Sequence, residues 1–210
     1  YYDMDMNLAP HQMHPMELIS QGKGNTDLIS GYTSSSIGIS EQITLNVGVN
    51  AQVLTLNNSW TLEPRAGIKW QFSPKSSFAL AYGLHSRMEK MDVYFVKTQG
   101  TGDRSVNKDL GFTRAHHVML SYGFKISDNM NMKIEPYFQQ LYDVPVIADS
   151  SYSVLNRRDF YVENVLVNRG KGRNIGVDIT LERYLNKGLY YMMTASIFDS
   201  KYYGGDRKWR

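Results

Sequence analysis

The feature that most constrains this chain is a strict alternation of apolar and polar residues over long stretches. In residues 43–53, and again in residues 60–72, every second residue is apolar. A helix with this pattern would scatter its apolar residues around its axis, whereas a strand places them all on one face. The alternation therefore predicts β-strands that each have one apolar face and one polar face.

Less regular alternation continues along the chain and predicts further strands. The additional apolar sets are Phe78–Leu84, Val118–Ile126, Met132–Phe138, Ile175–Leu181 and Leu189–Ile197, and a weaker strand precedes all of them around Ile29–Ile39. We count eight strands and no convincing helix, so the predicted fold class is all-β.

The connections between these strands are of two kinds. The tight, polar ones are Ser40–Glu41, Ser73–Ser76, Ser127–Asn129 and Asn186–Gly188, and they contain the residue types that turns require. The long segments are 1–27, 97–112 and 149–170, with residues 57–59 as the one short link among them. Tight turns occur at every second connection, which predicts an antiparallel meander with short turns at one end and long loops at the other.

Alternation alone also fits a soluble β-sandwich, but three features favour an outer-membrane barrel. The strands are long, at about 12–18 residues against about 5–6 in globular sheets. Short turns at one end and long loops at the other are typical of such barrels. Aromatic residues such as Trp70 and Trp60 lie near the strand ends of the apolar face, whereas aliphatic residues hold the middle.

The polar face carries charges in the middle of the strands. They are Glu63, Arg65, Lys69, Lys133, Glu135, Asp178 and Glu182. Such charges suit a wet or plugged lumen, because Arg or Lys facing the bilayer midplane costs about 2–4 kcal/mol. Packing them into the narrow bore of a closed eight-stranded barrel would demand almost complete pairing. We therefore expect an open, curved sheet whose first and last strands do not pair.

Composition narrows the chemistry. Cysteine is absent, which excludes disulfides, thiol catalysis and cysteine-ligated metals. The net charge of +3 is too small to indicate nucleic-acid binding. No run approaches the ~18 apolar residues of a membrane-spanning helix.

Two histidine pairs are candidate metal sites. His11 and His14 lie near Asp3, Asp5 and Glu17, but the prolines around them oppose the helix that would bring the two imidazoles together, so a polar loop is favoured. The adjacent His116 and His117 would point to opposite faces of a strand and would not chelate together. We predict no metal site and no cofactor.

Two further patterns do not predict catalysis. Residues 170–173, Gly-Lys-Gly-Arg, resemble a phosphate cradle, but a strand follows where a helix would be needed, so a tight bend re-entering the barrel is the interpretation. Glu63 and Glu135 each precede a proline on the polar face, and nothing places them at the ~5–10 Å that glycosidase carboxylates need. We expect lumenal charges there, with a bulge or a pairing gap near Pro64 and Pro136. No enzyme activity and no catalytic residue is predicted.

A basic cluster is predicted at the loop end of the meander. Its members are Arg157, Arg158, Lys171, Arg173, Lys201, Arg207, Lys208 and Arg210. In an outer-membrane barrel this end would face anionic lipopolysaccharide, whose phosphates these side chains could contact. Solvated loop charge is the other interpretation, and the cluster does not identify a transported ligand.

Five stretches in order carry a resemblance to a known family. They are residues 60–72 with Leu62-Glu63-Pro64-Arg65, 135–146, 151–156, 168–183 and 190–202. Together they resemble the barrel of TonB-dependent outer-membrane receptors, of the type abundant in Bacteroidetes, over nearly all of residues 28–210. The resemblance implies a barrel of about 22 strands closed around an N-terminal plug.

The resemblance also implies a division of the chain and a function. Residues 1–27 are expected to be an extracellular loop region and residues 28–210 part of the barrel, while the plug and the TonB-contacting segment have no match here. The implied function of the parent is energised import of a scarce nutrient, such as a siderophore, cobalamin, glycan or peptide. Its expected partners are outer-membrane lipid and lipopolysaccharide, TonB through the missing N-terminal part, and the nutrient, which contacts unknown residues.

Three alternatives remain. A small self-closed eight-strand barrel would serve as an anchor or adhesin. An outer-membrane enzyme would need a nucleophile–base pair, for which the sequence offers no candidate. A soluble carbohydrate-binding sandwich would lack the membrane altogether.

Overall fold

The computed structural model describes residues 1–8, 16–98, 105–157, 161–186 and 188–210. The strands are β1 (Tyr2–Leu8), β2 (Glu17–Gly24), β3 (Leu28–Gly38), β4 (Ile43–Leu54), β5 (Ser59–Ser73), β6 (Ser76–Arg87), β7 (Thr113–Ser127), β8 (Met130–Val146), β9 (Val167–Asn186) and β10 (Leu189–Tyr203). One short α-helix, α1 (Met91–Tyr94), and one 3-10 turn (Val154–Asn156) complete the described elements. None of the helices in these ranges has the length and apolar character needed to cross a bilayer.

Strands β3 to β10 form one antiparallel sheet in strict sequential order. Strands β3 and β10 are the two ends of this sheet, and no ladder joins them among the described residues. The predicted fold class, an open antiparallel meander of eight strands, is therefore confirmed. The strands run from 11 residues in β3 to 20 in β9, as the long alternating stretches indicated.

The apolar face of the sheet is exposed. Cross-strand partners such as Leu45 and Ile68, or Ile134 and Ile179, place aliphatic side chains side by side on this face. Ile68 nevertheless keeps 40% of its surface exposed. A soluble sheet would cover such a surface, because contiguous exposed apolar patches are rare on monomeric soluble proteins.

Aromatic rings cluster on the apolar face near the tight turns. Trp70 and Phe72 lie 5.3 Å apart between ring centroids, and Tyr122 lies 6.4 Å from Phe72 and 5.6 Å from Phe124. These contacts join side chains of β5 and β7 into one band. The arrangement is similar to the aromatic girdles of outer-membrane barrels.

The buried core lies at the loop end and not within the sheet. This loop-end cluster consists of Leu54, Val93, Tyr94, Phe95, Val96, Leu110, Phe112, Val162 and Leu166. Burial raises the pKa of Tyr94 to about 12. The loops are held by side-chain amides, since buried Asn107 donates to the Asn164 carbonyl at 2.9 Å and accepts from the Leu166 amide at 2.8 Å.

The opening segment is more ordered than the loop region that we expected. Strands β1 and β2 pair as a two-stranded hairpin. The hairpin packs on the loop-end cluster, with the Tyr2 and Phe95 rings 4.6 Å apart and the Lys97 amide donating to the Ile19 carbonyl at 2.8 Å. The extracellular location of residues 1–27 stays a prediction.

Both mid-strand prolines interrupt a ladder, as expected. Pro64 pairs with Val49 of β4, but β5 pairs with β6 only from Arg65 onward. Pro136 pairs with Val177 of β9, whereas the ladder to β7 has no pair at its position. Proline has no N–H to donate, so the ladder is lost on that one side.

The interpretation of residues 170–173 as a tight bend is wrong. They lie inside β9, paired with β8 on one side and with β10 on the other for most of their length. A Cβ on Gly170 would lie 2.4 Å from Val146, and one on Gly172 would lie 2.7 Å from Leu155. These glycines therefore allow close packing of neighbouring residues against a continuous strand.

Candidate functional site

The polar face of the sheet surrounds an open cavity of about 1350 Å³. Side chains from both ends of the sheet line it, including Ser34 of β3 and Ser200 of β10. Strands at opposite ends of a flat sheet could not line one cavity, so the sheet is curved with its polar face inside. The predicted curvature is therefore present, and the charged face is the inner one.

One row of cavity residues crosses all eight strands at a single level. The residues of this polar belt are Ser34, Gly48, Arg65, Gly83, His117, Gln139, Asn174 and Ser200, each a ladder partner of the next. Asn174 donates to Gln139 at 3.0 Å, and Ser200 donates to Asn174 at 2.7 Å. Apart from Arg65 and the titratable His117, the belt offers uncharged hydrogen-bonding groups to whatever fills the lumen.

Glu63 lies next to the belt and is almost completely buried, at 1% exposure. Its carboxylate accepts hydrogen bonds from Asn50 at 3.1 Å, Gln52 at 2.8 Å and Arg65 at 3.0 Å. It also accepts from the Ser86 amide at 3.0 Å and from the Ser86 hydroxyl. These donors belong to β4, β5 and β6, so the carboxylate joins three strands where Pro64 breaks the ladder. The Glu63 carboxylate, predicted as a lumenal charge, is therefore a structural anion with hydrogen-bond donors from all three strands.

The two adjacent histidines behave as the strand geometry predicted. His117 faces the cavity and lies 4.6 Å from His85, measured between ring centroids. His116 points outward, where its Nδ1 is 2.9 Å from the Tyr82 hydroxyl. Among the described residues no group of three or more potential metal ligands comes together. His11 and His14 lie outside the described residues.

Glu135 does not approach Glu63. Glu135 is on β8, three strands away from β5, which carries Glu63. By the strand register, Glu135 also lies six residues along β8 from the position that is level with Glu63. Strand spacing and rise place the two carboxylates more than about 14 Å apart, beyond the glycosidase range. Glu135 pairs instead with Lys133 at 2.9 Å.

The basic cluster divides into groups with different surroundings. Lys171, Arg173 and Lys201 lie on β9 and β10 near their loop ends. Arg157 pairs with Asp92 at 3.6 Å, and Arg210 pairs with Asp206. The Arg210 hydrogen bond lowers the pKa of Asp206. Arg207 and Lys208 lie in or beside the turn after β10, and Arg158 is outside the described residues.

The polar belt and the Glu63 network were not identified from the sequence. The parity of the alternation put these residues on the polar face, but their contacts depend on the register between strands. The glutamate immediately before a mid-strand proline was the one available signal, because a lost ladder leaves donors for a side chain to satisfy.

Comparison of the sequence with protein-family models and with curated proteins finds no match. Solved structures do match. The outer membrane transporter YddB from Escherichia coli aligns with a TM-score of 0.65 and 14% identity over 91% of this chain. The FrpB iron transporter from Neisseria meningitidis aligns with a TM-score of 0.60 and 16% identity over 87% of this chain for the F3-3 variant. The F5-1 variant of the same transporter aligns with a TM-score of 0.59 and 16% identity over 85% of this chain.

These matches concern the fold. The chain spans 27% of the length of each solved structure. Its eight-stranded sheet matches part of the large barrel of these transporters, which explains why the sheet is open. The neighbours are transporters from Escherichia and Neisseria, so the Bacteroidetes type of the resemblance stays a prediction.

Proposed function

We propose that this chain forms part of the barrel wall of a TonB-dependent outer-membrane receptor that imports a scarce nutrient. The observation that carries the proposal is the open, sequential sheet with an exposed apolar face and a polar face around a cavity. The likeness to part of two transporter barrels supports it. The nutrient would be a siderophore, cobalamin, a glycan or a peptide.

In this proposal the two faces have different partners. The apolar face contacts outer-membrane lipid, and the polar belt lines a lumen that is filled by a plug and water. TonB acts through the N-terminal part of the parent protein. The wall is a scaffold and not an enzyme, and it binds no nucleic acid.

The open edges favour this function over the self-closed eight-strand anchor or adhesin. Closure of the small barrel would require a ladder between β3 and β10, and the described residues of these strands form none. The exposed apolar face disfavours the soluble sandwich, whose sheets would cover that surface.

Uptake by cells that carry or lack the parent gene tests the proposal. Labelled ferric siderophore, cyanocobalamin, an oligosaccharide and a peptide are supplied separately, each with and without a protonophore. We expect uptake of one class to require the parent gene, TonB and the proton gradient. Uptake that persists without TonB, or a parent protein absent from the outer-membrane fraction, contradicts the proposal.

A further inference from the structure

Three basic side chains lie together on the outward face of β9 and β10. Arg173 is the ladder partner of Lys201, and Lys171 is the partner of Tyr203. All four have the same parity as Ile175 and Ile197, which belong to the apolar face. The basic residues therefore lie directly beyond the apolar band, on the loop side.

Two aromatic rings complete this surface, which we call the basic rim patch: Lys171, Arg173, Lys201, Tyr203 and Trp209. Residues 208–210 pair with the edge of β10, which places Trp209 opposite Tyr203 with ring centroids 5.5 Å apart. The Arg173 guanidinium lies 5.6 Å from the Trp209 ring, and the Lys171 ammonium lies 5.7 Å from the Tyr203 ring. Both cations are thus held over aromatic faces at the surface.

The patch has an excess of positive charge. Lys201 pairs with Asp199 at 3.4 Å, whereas the described residues provide no carboxylate within ion-pair distance of Lys171 or Arg173. Two cations therefore remain for an external anion. Arg and Lys side by side suit a phosphate group, because the planar guanidinium donates two hydrogen bonds and the ammonium adds a point charge.

The location selects the source of that phosphate. The patch faces away from the cavity, so a nutrient in the lumen could not reach it. Ile175 and Ile197, which are 51% and 79% exposed, continue the same face into the apolar band. A ligand that covers both surfaces needs a phosphorylated headgroup and acyl chains, and Trp and Tyr are typical of the level where these meet.

We propose that the basic rim patch binds the phosphate of an outer-leaflet glycolipid, whose acyl chains lie on the neighbouring apolar face. This inference rests on the proposed function, because that function places the loop end in the outer leaflet. It assigns lipopolysaccharide contact to the barrel wall at β9 and β10, and not to the loop charges in general.

Binding of bisphosphorylated lipid A to the full-length parent protein in detergent tests the proposal. The variant R173Q/K201Q removes two charges from the patch, and K69Q/K125Q removes two charges from the polar face as the matched control. We expect the patch variant to bind about tenfold more weakly or worse, with the control within about twofold of the wild type. Asp199→Asn should bind more tightly, because it frees Lys201.

Two additional binding measurements identify the ligand. Lipid A without phosphates should bind the wild type weakly, with the same affinity as it has for R173Q/K201Q. In the second measurement, millimolar inorganic phosphate should not displace bisphosphorylated lipid A from the wild type. Displacement by inorganic phosphate would overturn the headgroup assignment. Equal weakening in the control variant would overturn the site, as would unchanged affinity in the patch variant.

Heat-modifiable gel mobility distinguishes failure of the proposed barrel from failure of the proposed glycolipid site. A wild type without this mobility contradicts the proposed barrel, whereas a normal barrel with unchanged lipid A binding in R173Q/K201Q contradicts only the glycolipid site. Should R173Q/K201Q fail to fold, Asp199→Asn decides, and unchanged affinity of that variant overturns the proposal.

Discussion

Replacement of Glu63 by leucine should destabilise the sheet strongly. The substitution leaves donors of Asn50, Gln52, Arg65 and Ser86 without their common acceptor. A hydrogen bond to a charged group contributes about 1.5–3 kcal/mol. Each of these partners is partly exposed and regains part of this free energy from water, so we expect a total loss of about 3–5 kcal/mol, below the sum of the separate hydrogen bonds.

The loss of unfolding free energy should depend on how many hydrogen-bond acceptors the substituted side chain keeps. Glu63→Gln keeps one acceptor oxygen and loses the charge, so it should cost about half as much as leucine. Glu135→Gln is the matched control, since its partner Lys133 is 50% exposed and the ion pair contributes at most about 1 kcal/mol.

Urea unfolding of the parent protein in detergent micelles, followed by heat-modifiable gel mobility, measures these differences. A lower midpoint at unchanged m-value reports a change in stability. Equal midpoints for the Glu63 and Glu135 variants would refute the reasoning, as would Glu63→Leu within about 1 kcal/mol of the wild type.

Three further predictions test the orientation of the sheet, its topology and its loop-end cluster. Ile179 lies on the apolar face, which the proposed function places against lipid, so Ile179→Arg should impair barrel assembly by about 2–4 kcal/mol. Asp178 lines the cavity, so Asp178→Arg should be much milder, and equal loss of heat-modifiable mobility would contradict the membrane assignment. A cysteine at Asp109, in the long loop, should react with an impermeant maleimide on whole cells, while one at Lys75 should not; the reverse labelling would invert the topology. Tyr94 has its pKa raised to about 12, so the stability that its neutral form contributes is complete below pH 10 and is lost as the pH rises towards 12. A difference titration against Tyr94→Phe should show one tyrosine ionising near pH 12, and ionisation near 10 would mean that the cluster is open.

Glu63 and residues 170–173 show where sequence reasoning ended. Both alternation and proline chemistry act within one strand, so the polar face and the pairing gaps beside Pro64 and Pro136 were predicted correctly. What replaces the missing ladder beside Pro64 depends on Ser86, which lies 23 residues away in sequence. The glycines of residues 170–173 indicated a bend because glycine is common in turns, but their real constraint is close approach by Val146 and Leu155.

The hairpin of β1 and β2 shows the same limit at the loop end. Residues 2–8 alternate strictly between apolar and polar side chains, and the prediction of a loop over residues 1–27 missed this strand signal. Residues 17–24 do not alternate and resemble a polar loop when taken alone. They form a strand because the hairpin packs on Phe95, more than seventy residues away from β2 in sequence. Burial against a distant partner decided the structure of β2, whereas the local pattern already favoured a strand in β1.

The sequence by itself determined the eight strands of the large sheet, their order, the face that each residue occupies and the open form of the sheet. These properties follow from the period of two along each strand, from the turn residues and from the charge on the polar face. Only the tertiary structure decided the partners of Glu63, the polar belt, the packing of the loop-end cluster and the basic rim patch. Each of these depends on the register between strands and on contacts between distant segments, and a shift of one residue would move every side chain to the opposite face.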